Sequence, residues 1–197
     1  MTMPTFFVEE DQILTALFDE GLDILHLRKP GTEPVYSERL LTLLPSSYRK
    51  RIVVHDHFYL KDEYGLKGVH LNHRNPEIPV KYKGQVTCSC HSFEEIKQYK
   101  KNFDYMFLSP VFSSISKENY PAAFSDESLR IAAKNGIIDK KVVALGGVTP
   151  DNIAKVRDYG FGGVVILGDL WNRFNIHTTQ DFKDIITYFR RLKRLVN

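Results

Sequence analysis

The chain has 197 residues, with 27 Lys+Arg against 24 Asp+Glu for a net charge of +3, and 43% of its residues are hydrophobic. That balance describes an ordinary globular domain with one sizeable core. Thirteen Phe and ten Tyr exclude a disordered chain, since so many rings demand burial. No apolar run reaches the roughly 18 residues of a membrane span. The N-terminus lacks a signal-peptide layout, and the charge surplus is too small for a nucleic-acid partner.

In chain order, short apolar runs fall at Thr5–Val8, Asp23–Leu27, Arg51–His55, Gly68–Leu71, Gln85–Ser89, Tyr105–Ser109, Lys141–Leu145 and Gly163–Leu167. Several are β-branched and apolar on both faces, as parallel strands are. Helical stretches lie between them. Ser92 with Glu95 forms a capping box. Ser125–Lys134 has helical periodicity, and Thr149-Pro150 opens a helix that Gly160 ends. Thr179–Arg194 closes the series with a basic last turn. The fourth unit is the exception, because Pro76 and Pro79 between Leu71 and Gln85 favour a short turn.

Eight strands, most followed by a helix or a short substitute, predict a single α/β domain over residues 1–197 with the (β/α)8 TIM-barrel architecture. About 25 residues per unit sits at the low end for that fold. An open doubly wound sheet is the rival. Cys88 and Cys90 share one face by period two and read as reduced core thiols, which suits a cytoplasmic protein.

Barrel chemistry gathers at the C-terminal strand ends. There the sequence places His26, Arg28 and Lys29, then His55, Asp56 and His57, then His70, Asn72, His73 and Arg74, then Ser89 and His91. Six of the seven histidines fall in these segments. Gly146-Gly147 and Gly168 end the last two strands, where side-chain-free backbone lets amides approach a phosphate, although tight turns also require glycine. Ser113-Ser114-Ile115-Ser116-Lys117 offers hydroxyls and a cation to an anion, or is a polar surface loop. His55-Asp56-His57 admits three uses: a zinc site completed by His70 and His73, a single carboxylate helping to hold Mg²⁺ against a diphosphate, or a helix cap by Asp56.

The segments Leu-His-Leu-Arg-Lys, His-Asp, Gly-Val-His-Leu, Cys-Ser-Cys-His-Ser, Leu-Ser-Pro-Val-Phe-Ser-Ser-Ile-Ser-Lys and Leu-Gly-Gly-Val-Thr-Pro, in this order, resemble the thiamine phosphate synthase/TenI superfamily from about Asp23 to Leu170. The resemblance implies small phosphorylated heterocycles as substrates, Mg²⁺ as cofactor, and dimers as unsurprising. A synthase couples hydroxymethylpyrimidine diphosphate to thiazole phosphate and releases diphosphate. A TenI-like tautomerase aromatises a thiazole phosphate carboxylate by proton transfer. A non-catalytic thiazole or thiamine phosphate binder is the third reading.

Matched position by position, the family's Gln-x-Arg-Glu-Lys falls on His26-Leu27-Arg28-Lys29-Pro30, so Arg28 is kept and Pro30 replaces the lysine. His55-Asp56 stands for Asn-Asp, retaining one metal carboxylate, and the second falls on Asn75. Losing that charge weakens a Mg²⁺ site, because charge count sets the affinity of hard cations. Lys29 and His55 are the residues placed to compensate. By the same matching, Lys117, Ser89, Asp56 and Arg28 are the expected catalytic groups. His26, Lys29, His55, Ser114, Ser116, Gly146, Gly147, Leu167 and Gly168 are the expected substrate contacts. The tautomerase histidine position is Pro110, as in synthases, which leaves His91, His55 or His73 as proton carrier for that reading.

Overall fold

The computed structural model describes residues 1–113, 122–172 and 179–196. It divides into two compact units. The first runs from Met1 to Val86 and includes the C-terminal helix as far as Lys193. The second begins at Thr87 and also takes the residues from Arg194 onward.

The first unit opens with α1 (Glu10–Asp19), which buries Ile13, Leu14, Leu17 and Phe18 along one face. Next come β1 (Leu25–Leu27), α2 (Pro34–Leu43), α3 (Ser46–Arg49), β2 (Ile52–Val54), α4 (Leu60–Glu63) and β3 (Gly68–Leu71). The strands pair in parallel in chain order. Leu27 is level with Val54, and Val54 with Val69. Every residue of the three strands is buried, as the run of apolar residues on both faces requires. Pro34 takes the first turn of α2, where its missing N–H removes no helical bond.

The strand expected over Thr5–Val8 does not form. The chain instead docks through Thr2, whose N–H donates to the His26 carbonyl at 3.0 Å, while its hydroxyl bonds the backbone of Arg28 at both N–H and C=O. Pro4 lacks the N–H that a ladder needs. The apolar character of the run has another use. Phe6 packs on Tyr36 and on the Lys29 ammonium, and Val8 faces solvent. No helix links β3 to β4, in line with the short turn expected there.

The second unit carries β4 (Gln85–Cys90), α5 (Phe93–Tyr99), β5 (Tyr105–Leu108), α6 (Asp126–Lys134), β6 (Val142–Leu145), α7 (Ile153–Asp158), β7 (Gly163–Val165) and α8 (Gly168–Trp171). Neighbouring strands again pair in parallel, Cys90 with Leu108, Leu108 with Ala144 and Leu145 with Val165. Helix α9 (Thr179–Val196) ends the chain. Arg190 and Lys193 of α9 tie to Glu20 and Asp23 within the first unit. Among the described residues no helix is long and apolar enough to cross a membrane.

Local chemistry explains the helix starts. The Ser92 hydroxyl accepts the Glu95 N–H at 3.1 Å, and the Ser125 hydroxyl accepts the Ser128 N–H. The Glu95 carboxylate reaches back to the N–H of His91, one residue before the cap. At α7 the helix begins later than Pro150, because Asn152 bridges the loop. Its Oδ1 accepts the Thr149 N–H and its Nδ2 donates to the Gly147 carbonyl.

Candidate functional site

In the first unit, the segments that leave the C-terminal ends of β1, β2 and β3 bring Arg28, Asp56 and the Asn72–Asn75 turn together. Asn72 and Asn75 exchange both backbone hydrogen bonds, at 3.1 and 3.0 Å, so His73 and Arg74 form the tip of a tight turn. Side chains pin that turn to the end of β2: Asn72 Nδ2 donates to the His55 carbonyl at 2.7 Å and Asn75 Nδ2 to the same oxygen at 3.1 Å. The turn delivers Arg74 to Asp56, with Nη2 at 3.1 Å from Oδ1. Asn75 Nδ2 also donates to Asp56 Oδ1.

Arg28 completes the group. Its guanidinium is lowered from its ordinary value first by burial and then by Arg74, with Asp56 opposing both. Two guanidiniums, one of them ion-paired, therefore lie within electrostatic reach of one carboxylate. The local surplus of charge is positive.

This donor set does not fit the expected Mg²⁺. Mg²⁺ takes oxygen ligands in near-octahedral geometry, drawn to carboxylate charge. Here a single carboxylate is already balanced by Arg74, and the Asn75 side chain turns a nitrogen donor toward it. Arg74, which sequence reasoning left among the polar strand-end residues, holds the charge that the ion was expected to carry. The chain carries only part of that signal, an Asn-x-Arg-Asn segment directly after a buried strand.

His26 and His55 are almost fully buried, 4% and 2% exposed, and bond to each other, His26 Nδ1 to His55 Nε2 at 2.9 Å. The His55 ring stacks on His70 with centroids 4.1 Å apart. Burial pushes His26 and His55 well below the usual histidine range and His70 to about 3, so all three are neutral at pH 7. His57 stands apart, hydrogen-bonded to the Thr32 carbonyl. Lys29 is 2% exposed, with its Nζ on both Glu10 oxygens and on the Thr5 carbonyl. Those three acceptors match the three donors of an ammonium. Burial holds Glu10 up at about 7 against the opposing pull of Lys29.

In the second unit, the loops after β4, β5 and β6 adjoin one another. Ser89 lies in β4. His91 follows it, exposed, with Nδ1 2.8 Å from the Ser109 carbonyl. A carbonyl oxygen only accepts, so Nδ1 carries the hydrogen in that contact. Ser109-Pro110 is a cis peptide, and the backbone of Val111 and Phe112 bonds Leu145 and Gly146. Gly146 and Gly147 have φ of 96° and 63°. A Cβ on Gly147 would lie 2.2 Å from the Ser113 carbonyl oxygen, so this glycine is required by the packing of the β5 loop. Leu167 precedes α8 and Gly168 is its first residue. Ser114, Ser116 and Lys117 lie outside the described residues. Cys88 and Cys90 are buried free thiols.

A family described as thiamine monophosphate synthase matches residues 8–170. The chain belongs to the thiamine monophosphate synthase family. A crystal structure of thiamine phosphate pyrophosphorylase from Bacteroides thetaiotaomicron is 55% identical, covers 98% of this chain and 93% of its own, and superposes with a TM-score of 0.90. The thiamine-phosphate synthase of Dictyoglomus turgidum is 26% identical over 174 residues, 84% of this chain and 77% of the relative. Thiamine phosphate pyrophosphorylase from Pyrococcus furiosus shares the fold, with a TM-score of 0.73 at 19% identity over 95% of this chain and 89% of that one. Within the thiamine monophosphate synthase family, then, this chain presents the Arg28–Asp56–Arg74 group beyond its first three strands and the buried histidines in or next to them.

Proposed function

We propose that this chain is a thiamine-phosphate synthase-type transferase, joining hydroxymethylpyrimidine diphosphate to thiazole phosphate with release of diphosphate. The supporting observation is the pair of guanidiniums around Asp56. Departure of diphosphate concentrates negative charge on the leaving oxygens, and Arg74, held by Asp56, with Arg28 nearby, offers positive charge before that charge develops. Preorganised charge of this kind is the largest single contribution in most such reactions. Bond breaking leaves a pyrimidinylmethyl cation, which the ring's amino group stabilises. The thiazole ring nitrogen then attacks, forming the C–N bond. Ser89, the Gly146-Gly147 segment and Lys117 are assigned to the thiazole phosphate and the leaving group.

A second reading rests on His91. It is exposed, it is oriented by the Ser109 carbonyl, and it stands beside Pro110, the position at which the resemblance places the tautomerase histidine. His55 is buried against His26 and His70, and His73 lies at the tip of the Asn72–Asn75 turn.

The test is product formation by the purified protein. Thiamine phosphate from both precursors, reduced on the order of 100-fold in Arg28→Ala and in Arg74→Ala, supports the synthase. Aromatisation of thiazole phosphate carboxylate, abolished in His91→Ala, supports the tautomerase. Turnover of neither substrate set overturns both.

A further inference from the structure

Three buried imidazoles meet inside the first unit. His26 lies in β1, His55 directly follows β2 and His70 lies in β3. The parallel register makes His55 level with His70, since the residues before them, Val54 and Val69, are partners. Leu27 is level with Val54, so His26 stands one pleat repeat below His55 on the same face. The sequence periodicity of two therefore gathers residues from three strands at one spot.

We propose that His26, His55 and His70 form a binding site for one divalent transition-metal ion of the zinc class, each giving one ring nitrogen. The ligand atoms all lie within 4.8 Å of one another, and His26 Nδ1 and His55 Nε2 are 2.9 Å apart. A tetrahedral ion with Zn–N bonds of about 2.0–2.1 Å needs nitrogens about 3.3 Å apart, within that span. His26 meets both other rings edge-on, at 79° and 87°. His55 and His70 are near parallel, at 17°, so one ring must turn about its soft outer torsion to share the ion.

Neutral imidazole is the ligating form, and burial keeps these rings neutral. An all-nitrogen set selects Zn²⁺, Co²⁺, Ni²⁺ or Cu²⁺ over Mg²⁺ and Ca²⁺. Three protein ligands leave a fourth position for water. The positive charge of Arg28 opposes the ion, and Asp56 offsets it. Bound metal replaces the His26–His55 hydrogen bond and ties β1, β2 and β3 together. Thermal stability thus becomes metal-dependent whether the protein is a synthase, a tautomerase or neither.

The experiment uses the purified full chain, stripped with a chelator and titrated with Co²⁺. One equivalent binding with the intense visible bands of a four-coordinate ion, displaced by Zn²⁺ and not by Mg²⁺, is the expected result. His55→Asn and His70→Gln each weaken binding by more than about 100-fold, beyond what loss of an outer-sphere partner produces. X-ray absorption at the zinc edge of the wild-type complex shows three imidazoles at about 2.0–2.1 Å, a readout independent of whether the variants fold. Absence of stoichiometric binding, or binding with no imidazole at the metal, overturns the proposal.

Discussion

The Lys29 ammonium lies 2.6 Å from Glu10 Oε1 and 2.8 Å from Oε2, with both side chains 2% exposed, and this pair ties the end of β1 to the start of α1. A buried pair of this kind is worth little against an apolar replacement of the same volume, yet removing one partner strands a charge. Glu10→Ala therefore destabilises the fold by about 3–5 kcal/mol, read from urea denaturation. The double variant Glu10→Leu/Lys29→Met recovers to within about 1 kcal/mol of wild type or exceeds it. Retained turnover in the double variant separates Lys29 from the chemistry, and loss of turnover in a folded double variant returns it to the substrate site.

The buried histidines make stability pH-dependent, and the sign follows from their depressed values. Below about pH 6.5 the unfolded chain protonates these rings while the folded chain does not, so the unfolded state binds more protons. Stability is fully present above that pH. It declines as the pH falls, and for His70 the decline continues to about pH 3. Each ring that stays neutral contributes a slope of about 1.4 kcal/mol per pH unit in that window. His70→Gln removes one such group, so its melting temperature falls less steeply between pH 6.5 and pH 4. An unchanged slope means that the ring titrates near its ordinary value.

Much of this was legible in the residues. Seven of the eight expected strands form, because buried parallel strands carry apolar residues on both faces and leave a continuous signal. The caps at Ser92 and Ser125 are local chemistry and are readable for the same reason. Thr5–Val8 misled because two phenylalanines resemble a strand whatever they pack on. The resource Phe6 supplies is a face for Lys29 and Tyr36, which is a tertiary fact. The grouping of His26 with His55 and His70 needed the strand register, and the pairing of Arg74 with Asp56 needed the geometry of a two-residue turn. Neither is encoded in spacing along the chain. Lys29, adjacent to Arg28, was expected to serve the substrate. Its burial against Glu10 depends on a helix 19 residues away.

Arg74 and Asn75 occupy the turn at which the resemblance calls for a second metal carboxylate. Arg74→Gln/Asn75→Asp removes one positive charge and turns the Asn75 amide into a second carboxylate beside Asp56. Hard-cation affinity rises with carboxylate count, so the double variant gains Mg²⁺ binding that calorimetry detects, and wild type binds Mg²⁺ more weakly. Inorganic diphosphate binding moves oppositely. Wild type holds it without Mg²⁺ through its guanidiniums, whereas the double variant requires the metal. Equal Mg²⁺ dependence in both proteins removes Arg74 from the anion site.

Gly147 distinguishes packing from phosphate binding. Its φ of 63° and the 2.2 Å approach of a built Cβ to the Ser113 oxygen mean that alanine meets both backbone strain and a collision with main chain. Gly160, at the end of α7 with φ 81°, has open space around the same atom. Gly160→Ala thus measures the strain alone, about 1 kcal/mol, while Gly147→Ala adds an overpacking cost of about 1–3 kcal/mol. Thermal denaturation of the two variants isolates the contact with Ser113. Kinetics on the surviving folded fraction then tests the second role: a raised KM for thiazole phosphate in Gly147→Ala, with no change in Gly160→Ala, assigns the Gly146-Gly147 amides to the substrate phosphate. Equal KM values leave Gly147 with packing as its sole function.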